Sequence, residues 1–210
     1  MNGNLQELDV LRNDLRKRVI SVAMKAFYSK GVKNVTMDEI AHELTMSKRT
    51  LYQIFSDKEA LLLACIEEEK RNHSERMEER MMKTNDVLEI ILFDFGARLE
   101  NLKGVNPLFF AELSKFPKIV ERMKADRLQH MEKAVAFMQR GVEQGLFRKD
   151  VDFRIIFTLL MNHIDSVATV QGISEFAPIE VFKHLVFFYL RGCTTPRGMS
   201  MMDEFLAKES

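Results

Sequence analysis

Apolar residues recur at spacings of three and four along almost the whole chain, and no run alternates with the period of two that a half-buried strand requires. The pattern predicts an all-α protein. The first helix reads from about residue 8 to residue 30. Leu15, Val19, Val22, Ala23, Ala26 and Phe27 form its buried stripe, while Arg12, Arg16, Lys17 and Lys25 fall on other faces. Gly31 follows, where a left-handed C-cap favours glycine. Thr36-Met-Asp-Glu39 is a capping box, and the helix it opens turns Ile40, Ala41 and Leu44 inward. Ser47 caps the next helix, in which Leu51 and Phe55 lie four apart on one face. Ser56-Asp-Lys-Glu59 reads as a second capping box, opening a long helix over residues 57–82. Caps packed this closely demand short, sharply reoriented helices.

Further helices are predicted over 86–102, 107–116, 118–144, 152–170 and 179–191. Pro107, Pro117 and Pro178 sit where first-turn prolines belong. Gly145-Leu-Phe-Arg-Lys-Asp150 reads as a turn. The segment from Thr194 is expected to be a loosely attached tail, with Met201–Leu206 forming a turn or two of amphipathic helix. The pattern divides the chain at 58, 194 and the C-terminus: 1–58, 59–194 and a 195–210 tail. All but two of the 16 phenylalanines lie beyond residue 58.

Residues Thr36 to Phe55 have the layout of a helix-turn-helix: a helix, a short turn at Thr45-Met46, and a second helix from Ser47. In that motif the second helix enters the major groove. Its exposed side here carries Lys48, Arg49, Thr50, Tyr52 and Gln53, all hydrogen-bonding side chains. Arg49 suits guanine and Gln53 suits adenine. Lys48, Tyr52 and Lys58 suit phosphate, which fixes register without reading sequence. Phe55 reads as core. The helix starting near Asp57 would add backbone N–H donors to a phosphate.

Charge sharpens this picture. The chain has 210 residues, 31 Lys+Arg and 31 Asp+Glu, so its formal net charge is zero. That excludes nucleic-acid binding by bulk positive charge. The neutrality is nevertheless a sum of unlike parts: 10 basic against 7 acidic residues over 1–58, and 21 against 24 over the rest. Hydrophobic residues at 46% and charged residues at 30% indicate a globular chain. Cys65 and Cys193 are too far apart in sequence for a CxxC pair, which favours a reducing cytoplasm. The N-terminus lacks the apolar core of a secretory signal, and no apolar run approaches membrane length. The expectation is a cytoplasmic protein without a membrane partner. No phosphate loop, no GxSxG and no metal-ligand spacing of the five histidines is present, so catalytic residues, cofactors and metal are all expected to be none.

A specific resemblance rests on Ala26-Phe27, Gly31, Thr36-Met-Asp-Glu-Ile-Ala41, Ser47-Lys-Arg-Thr-Leu-Tyr-Gln-Ile-Phe55 and Lys58-Glu-Ala-Leu61-Leu62. This run resembles the DNA-binding domain of the TetR family of bacterial transcriptional regulators. The family often has glycine in the turn where this chain has Thr45-Met46, a departure that bears on the pose of the second helix. The resemblance implies an N-terminal three-helix DNA-binding domain and a C-terminal helical bundle for effector binding and dimerisation. It implies a homodimer on a palindromic double-stranded DNA operator, released by an unknown small-molecule effector. Thr36, Lys48, Arg49, Thr50, Tyr52 and Lys58 match DNA-touching positions of the family; Gln53 is added from its place beside Tyr52.

The dimer interface of such proteins comes from the last two major helices. Here Ile156, Leu160, His163 and Val167, with Phe182, Leu185 and Tyr189, are the candidates, on helices apolar over more of their circumference than one core contact needs. Phe93, Phe109, Phe110, Phe137, Met138 and Met161 read most simply as core. With 14 methionines and no tryptophan, that core could also repack around a ligand. These six, together with the polar Asn162 and Asp165, are the effector-pocket candidates. Two alternatives stay open from the residues alone: a helical enzyme or carrier with an apolar pocket and no DNA role, and a helical protein-binding adaptor.

Overall fold

The computed structural model describes residues 2–166 and 175–209. Among them run ten α-helices: α1 (Asn2–Lys30), α2 (Met37–Glu43), α3 (Lys48–Ile54), α4 (Lys58–Lys83), α5 (Val87–Leu102), α6 (Pro107–Leu113), α7 (Pro117–Glu143), α8 (Phe153–Ser166), α9 (Pro178–Cys193) and α10 (Pro196–Glu209). One isolated antiparallel bridge joins Phe147 to Thr194. None of these helices is long and apolar enough to cross a membrane.

The chain forms two compact units. The first holds the residues up to Asn72 together with 106–119; the second holds 73–105 and 120 onward. The boundary therefore falls inside α4 rather than at residue 58, and α6 belongs with the N-terminal helices.

In the first unit, Val19, Ala23 and Phe27 of α1, Ile40 of α2, Leu51 of α3 and Leu61, Leu62 and Cys65 of α4 are almost wholly buried. Each is a position of the apolar stripe on its own helix. The short elements are held by local bonds. Thr36 and Glu39 close the predicted capping box in both directions. Ser47 Oγ accepts from the Thr50 N–H. At α4 the cap is Asp57 and not Ser56: its carboxylate accepts from the Ala60 N–H at 2.8 Å. Lys58 staples the α1–α2 loop, with Nζ donating to the carbonyls of Val32 and Val35 at 2.9 Å and of Lys33 at 3.4 Å.

The end of α2 explains the departure at residue 45. Thr45 N–H donates to the His42 carbonyl and Met46 N–H to the Ala41 carbonyl, the paired bonds of a Schellman end. Thr45 takes the left-handed conformation, φ +54°. At the end of α7 the same pair of bonds, from Gly145 and Leu146, is made with glycine at φ +72°. The β-branched threonine thus carries a strain that glycine avoids.

Helix α6 packs on the C-terminal end of α1. Asn106 N–H donates to the Tyr28 carbonyl at 2.8 Å, and the Phe109 ring meets Tyr28 edge-on at 4.8 Å. Glu112 is buried and accepts from the Lys33 backbone N–H at 2.7 Å. Gly31, at φ +79°, leaves room for this: a Cβ there would lie 3.0 Å from Leu108 Cβ and 3.2 Å from the Glu112 carboxylate.

The core of the second unit joins α5, α7, α8, α9 and α10 through Leu88, Leu92, Phe95, Met138, Leu146, Phe147, Phe153, Phe187 and Met202. Phe95 stacks on Phe182 and meets Phe187 edge-on. The expected tail is instead helix α10, packed on α5, with Met202 fully buried. Gly198 makes that docking possible, since a Cβ there would come within 2.5 Å of the Leu146 carbonyl oxygen.

Candidate DNA-binding surface

Burial sorts α3 into two faces. Leu51 and Phe55 are buried, whereas Lys48, Arg49, Tyr52 and Gln53 are exposed. Arg49, Tyr52 and Gln53 lie at i, i+3 and i+4, so they share one strip of helix surface. Tyr52 is 49% exposed, with its hydroxyl free to meet a partner outside the helix. Two other candidates already have partners. Lys48 Nζ pairs with Asp38 of α2 at 2.5 Å, and the Thr50 hydroxyl is 2.8 Å from Ser47 Oγ. Both remain at the surface or half-buried, and an exposed ion pair of this kind is weak enough to exchange for a phosphate.

Thr36 and Lys58 stand apart. The Thr36 hydroxyl serves the capping box, where its backbone and side-chain hydrogen bonds hold the exposed Glu39 carboxyl below the usual carboxylate range. The Lys58 ammonium makes its three bonds to loop carbonyls, so its role here is structural rather than that of a free phosphate ligand. At the start of α4 the Asp57 carboxylate already takes the Ala60 N–H, which reduces the donors left for a phosphate there. One residue escaped the sequence reading. The Arg16 guanidinium lies 5.2 Å from the centre of the Phe55 ring, at the C-cap of α3. Nothing in its local sequence separates it from the other cations of α1; only the packing of α1 on α3's end does.

Residues 19–65 match the family described as bacterial regulatory proteins, tetR family. The helix-turn-helix region, residues 19–65, is thus of the TetR type. A TetR-family transcriptional regulator from Agrobacterium tumefaciens shares the fold at a TM-score of 0.67, with 14% identity over 88% of this chain and 100% of that one. FadR of Thermus thermophilus, a TetR-family transcriptional repressor solved in complex with lauroyl-CoA, aligns at 0.54, with 20% identity over 84% of this chain and 94% of that one. The uncharacterized HTH-type transcriptional regulator YvkB of Bacillus subtilis (strain 168) is 23% identical over 159 residues, covering 70% of this chain and 82% of YvkB.

Beyond the TetR-type domain the remaining candidates scatter. Phe109 and Phe110 lie in the first unit on α6, where Phe109 is buried against Tyr28. In the second unit Met138 is plain core, Phe137 and Met161 are half-buried, and Phe93 is partly exposed. Asn162 is exposed and Asp165 pairs with Arg127 of α7 at 2.8 Å. Two of the eight candidates thus belong to the first unit and six to the second. On α8 and α9, Tyr189 Oη lies 2.7 Å from His163 Nδ1, while Ile156, Leu160 and Leu185 are half-buried and Phe182 packs on Phe95. Val167 falls outside the described residues. Three further apolar residues on these two helices are exposed: Ile155 at 56%, Leu159 at 44% and Phe188 at 76%.

Proposed function

We propose that this TetR-type regulator is a homodimeric repressor that holds a palindromic operator through α3 and releases it when a small molecule binds the second unit. The observation that carries the reading is the exposed Arg49–Tyr52–Gln53 strip on the second helix of a TetR-type helix-turn-helix. Arg49 has no partner among the described residues and is available to a guanine edge; Gln53 is available to adenine. Lys48, Thr50 and Tyr52 supply phosphate contacts, with Thr36 at the margin. The exposed Ile155, Leu159 and Phe188 support pairing of two copies through α8 and α9. The protein acts in the cytoplasm, where the operator is, and the reading needs no catalytic residue.

Release would be a population shift. The α6 clamp is the suitable relay. Its contacts are with α1 in the first unit, yet it is joined on both sides to segments of the second unit, 73–105 and 120 onward. Lauroyl-CoA in the Thermus FadR structure supports the idea that this fold accommodates a small-molecule ligand.

The test is a mobility shift on DNA upstream of the protein's own coding sequence. Arg49→Ala is expected to cost about 1–3 kcal/mol of specific binding while leaving non-specific binding nearly intact. Affinity should fall steeply with salt, as counterion release requires. A salt-insensitive complex, or an unchanged Arg49→Ala protein, overturns the reading.

A further inference from the structure

The second unit contains a polar face that its own packing does not complete. His73, Arg76, Arg80 and Thr84 recur at spacings of three and four on and just past α4, so they share one side of that helix. Opposite them on α5 stand Glu89, Phe93, Asp94 and Arg98. Thr84 Oγ1 donates to Glu89 Oε2 at 2.8 Å, and Arg80 pairs with the same carboxylate while its guanidinium lies 4.8 Å over the Phe93 ring. Arg98 Nε donates to Asp94 Oδ2 at 2.8 Å, and Arg98 Nη2 is 2.8 Å from His73 Nε2. His73 Nδ1 lies 2.8 Å from Asp94 Oδ1 without the alignment of a hydrogen bond.

Three guanidinium groups here meet two carboxylates, and Arg76 is the one left over. Its Nε and that of Arg80 are buried with no acceptor among the described residues. A buried donor without an acceptor is costly, and two such donors lie one turn apart on this face. Glu89 and Asp94, the carboxylates of α5 on this face, are already engaged.

We propose that this α4–α5 face is a subsite for the carboxylate of a small organic anion, with Arg76 as its principal ligand and His73 beside it. A carboxylate fits better than a neutral amide because two parallel N–H groups on one edge of a guanidinium match two oxygens. Binding would also place a negative charge next to the unneutralised cation. The proposal rests on the reading that the second unit receives an effector, and it specifies the chemistry of that effector.

The experiment uses purified full-length protein and matched probes: hexanoate, hexanamide and hexylamine, then decanoate, decanamide and decylamine. Binding is read by titration calorimetry and thermal shift. The carboxylates are expected to bind at least tenfold more tightly than their amides and amines. Arg76→Met, which removes the orphan donor yet keeps the apolar stem, should abolish that preference, and Arg76→Lys should restore part of it. Equal binding of acid and amide, no carboxylate binding, or a preference that survives Arg76→Met overturns the proposal. Operator release measured in parallel separates the two readings. A head-group preference without release supports the anion subsite and overturns the effector role; release without a preference does the reverse.

Discussion

Thr45 shows how much one side chain can hold against its own backbone. A Schellman end places its C′ residue in the left-handed region, where a β-branched residue is strained by about 1 kcal/mol or more. Thr45→Asn, which tolerates that region without glycine's entropy, is expected to stabilise the protein by roughly 0.5–1 kcal/mol. A urea midpoint that does not rise would contradict this. Cys65 gives a second expectation at this scale. Burial first, and the nearby Glu69 charge next, push its thiol up to about 12. Its folded value is thus above the unfolded value of roughly 8.5, so its contribution to stability is full below that pH and is lost as pH rises toward 12. At pH 8 the thiol should react with a disulfide reagent only at the rate of unfolding, and rapid labelling of the native protein would refute it. Lys58 marks the limit of reading residues by type. As a lysine in a family motif beside α3 it looks like a phosphate ligand, and only the three carbonyls that converge on it reveal a staple.

Elements were legible where their signals are local. The capping box at Thr36, the Ser47 cap, the prolines opening α6, α7 and α9 and the glycine after α1 all act within a few residues, and each helix lies close to its predicted place. The second box missed by one residue, because Asp57 competes with Ser56 for the same cap and its carboxylate is the better acceptor. The 196–209 segment reads as a tail in sequence because its apolar stripe is short and polar residues surround it. Its order comes from distant partners, with Met202 in the core and Gly198 against the Leu146 backbone. Met202→Ala should therefore cost about 2–4 kcal/mol, by the cavity it leaves. A melting temperature unchanged by that substitution would return α10 to the status of a tail. The scatter of the effector candidates has a related cause. Helical periodicity shows that a phenylalanine is inward, but not which of two cores it enters.

At the scale of the whole molecule, zero net charge hides a modestly basic N-terminal part and a modestly acidic remainder. Under the proposed function the basic part is the one that meets DNA. Pairing of two copies would double that polarity. Phe188→Glu combined with Leu159→Glu is expected to yield monomers by light scattering and to lower operator affinity by at least tenfold, since half-sites would then be bound one at a time. A dimer that persists would place the interface elsewhere. The path of the chain adds a consequence for recombination. The N-terminal unit is not a contiguous stretch of sequence, because it borrows 106–119 from the middle of the other. A chimera spliced at residue 72 onto a foreign partner would lose Glu112, leave the Lys33 amide unmatched and open the niche that Gly31 creates. The N-terminal unit of this chain can be transplanted intact only if the graft carries 106–119 along with α1, so the unit of exchange here is a pair of segments and not a single stretch.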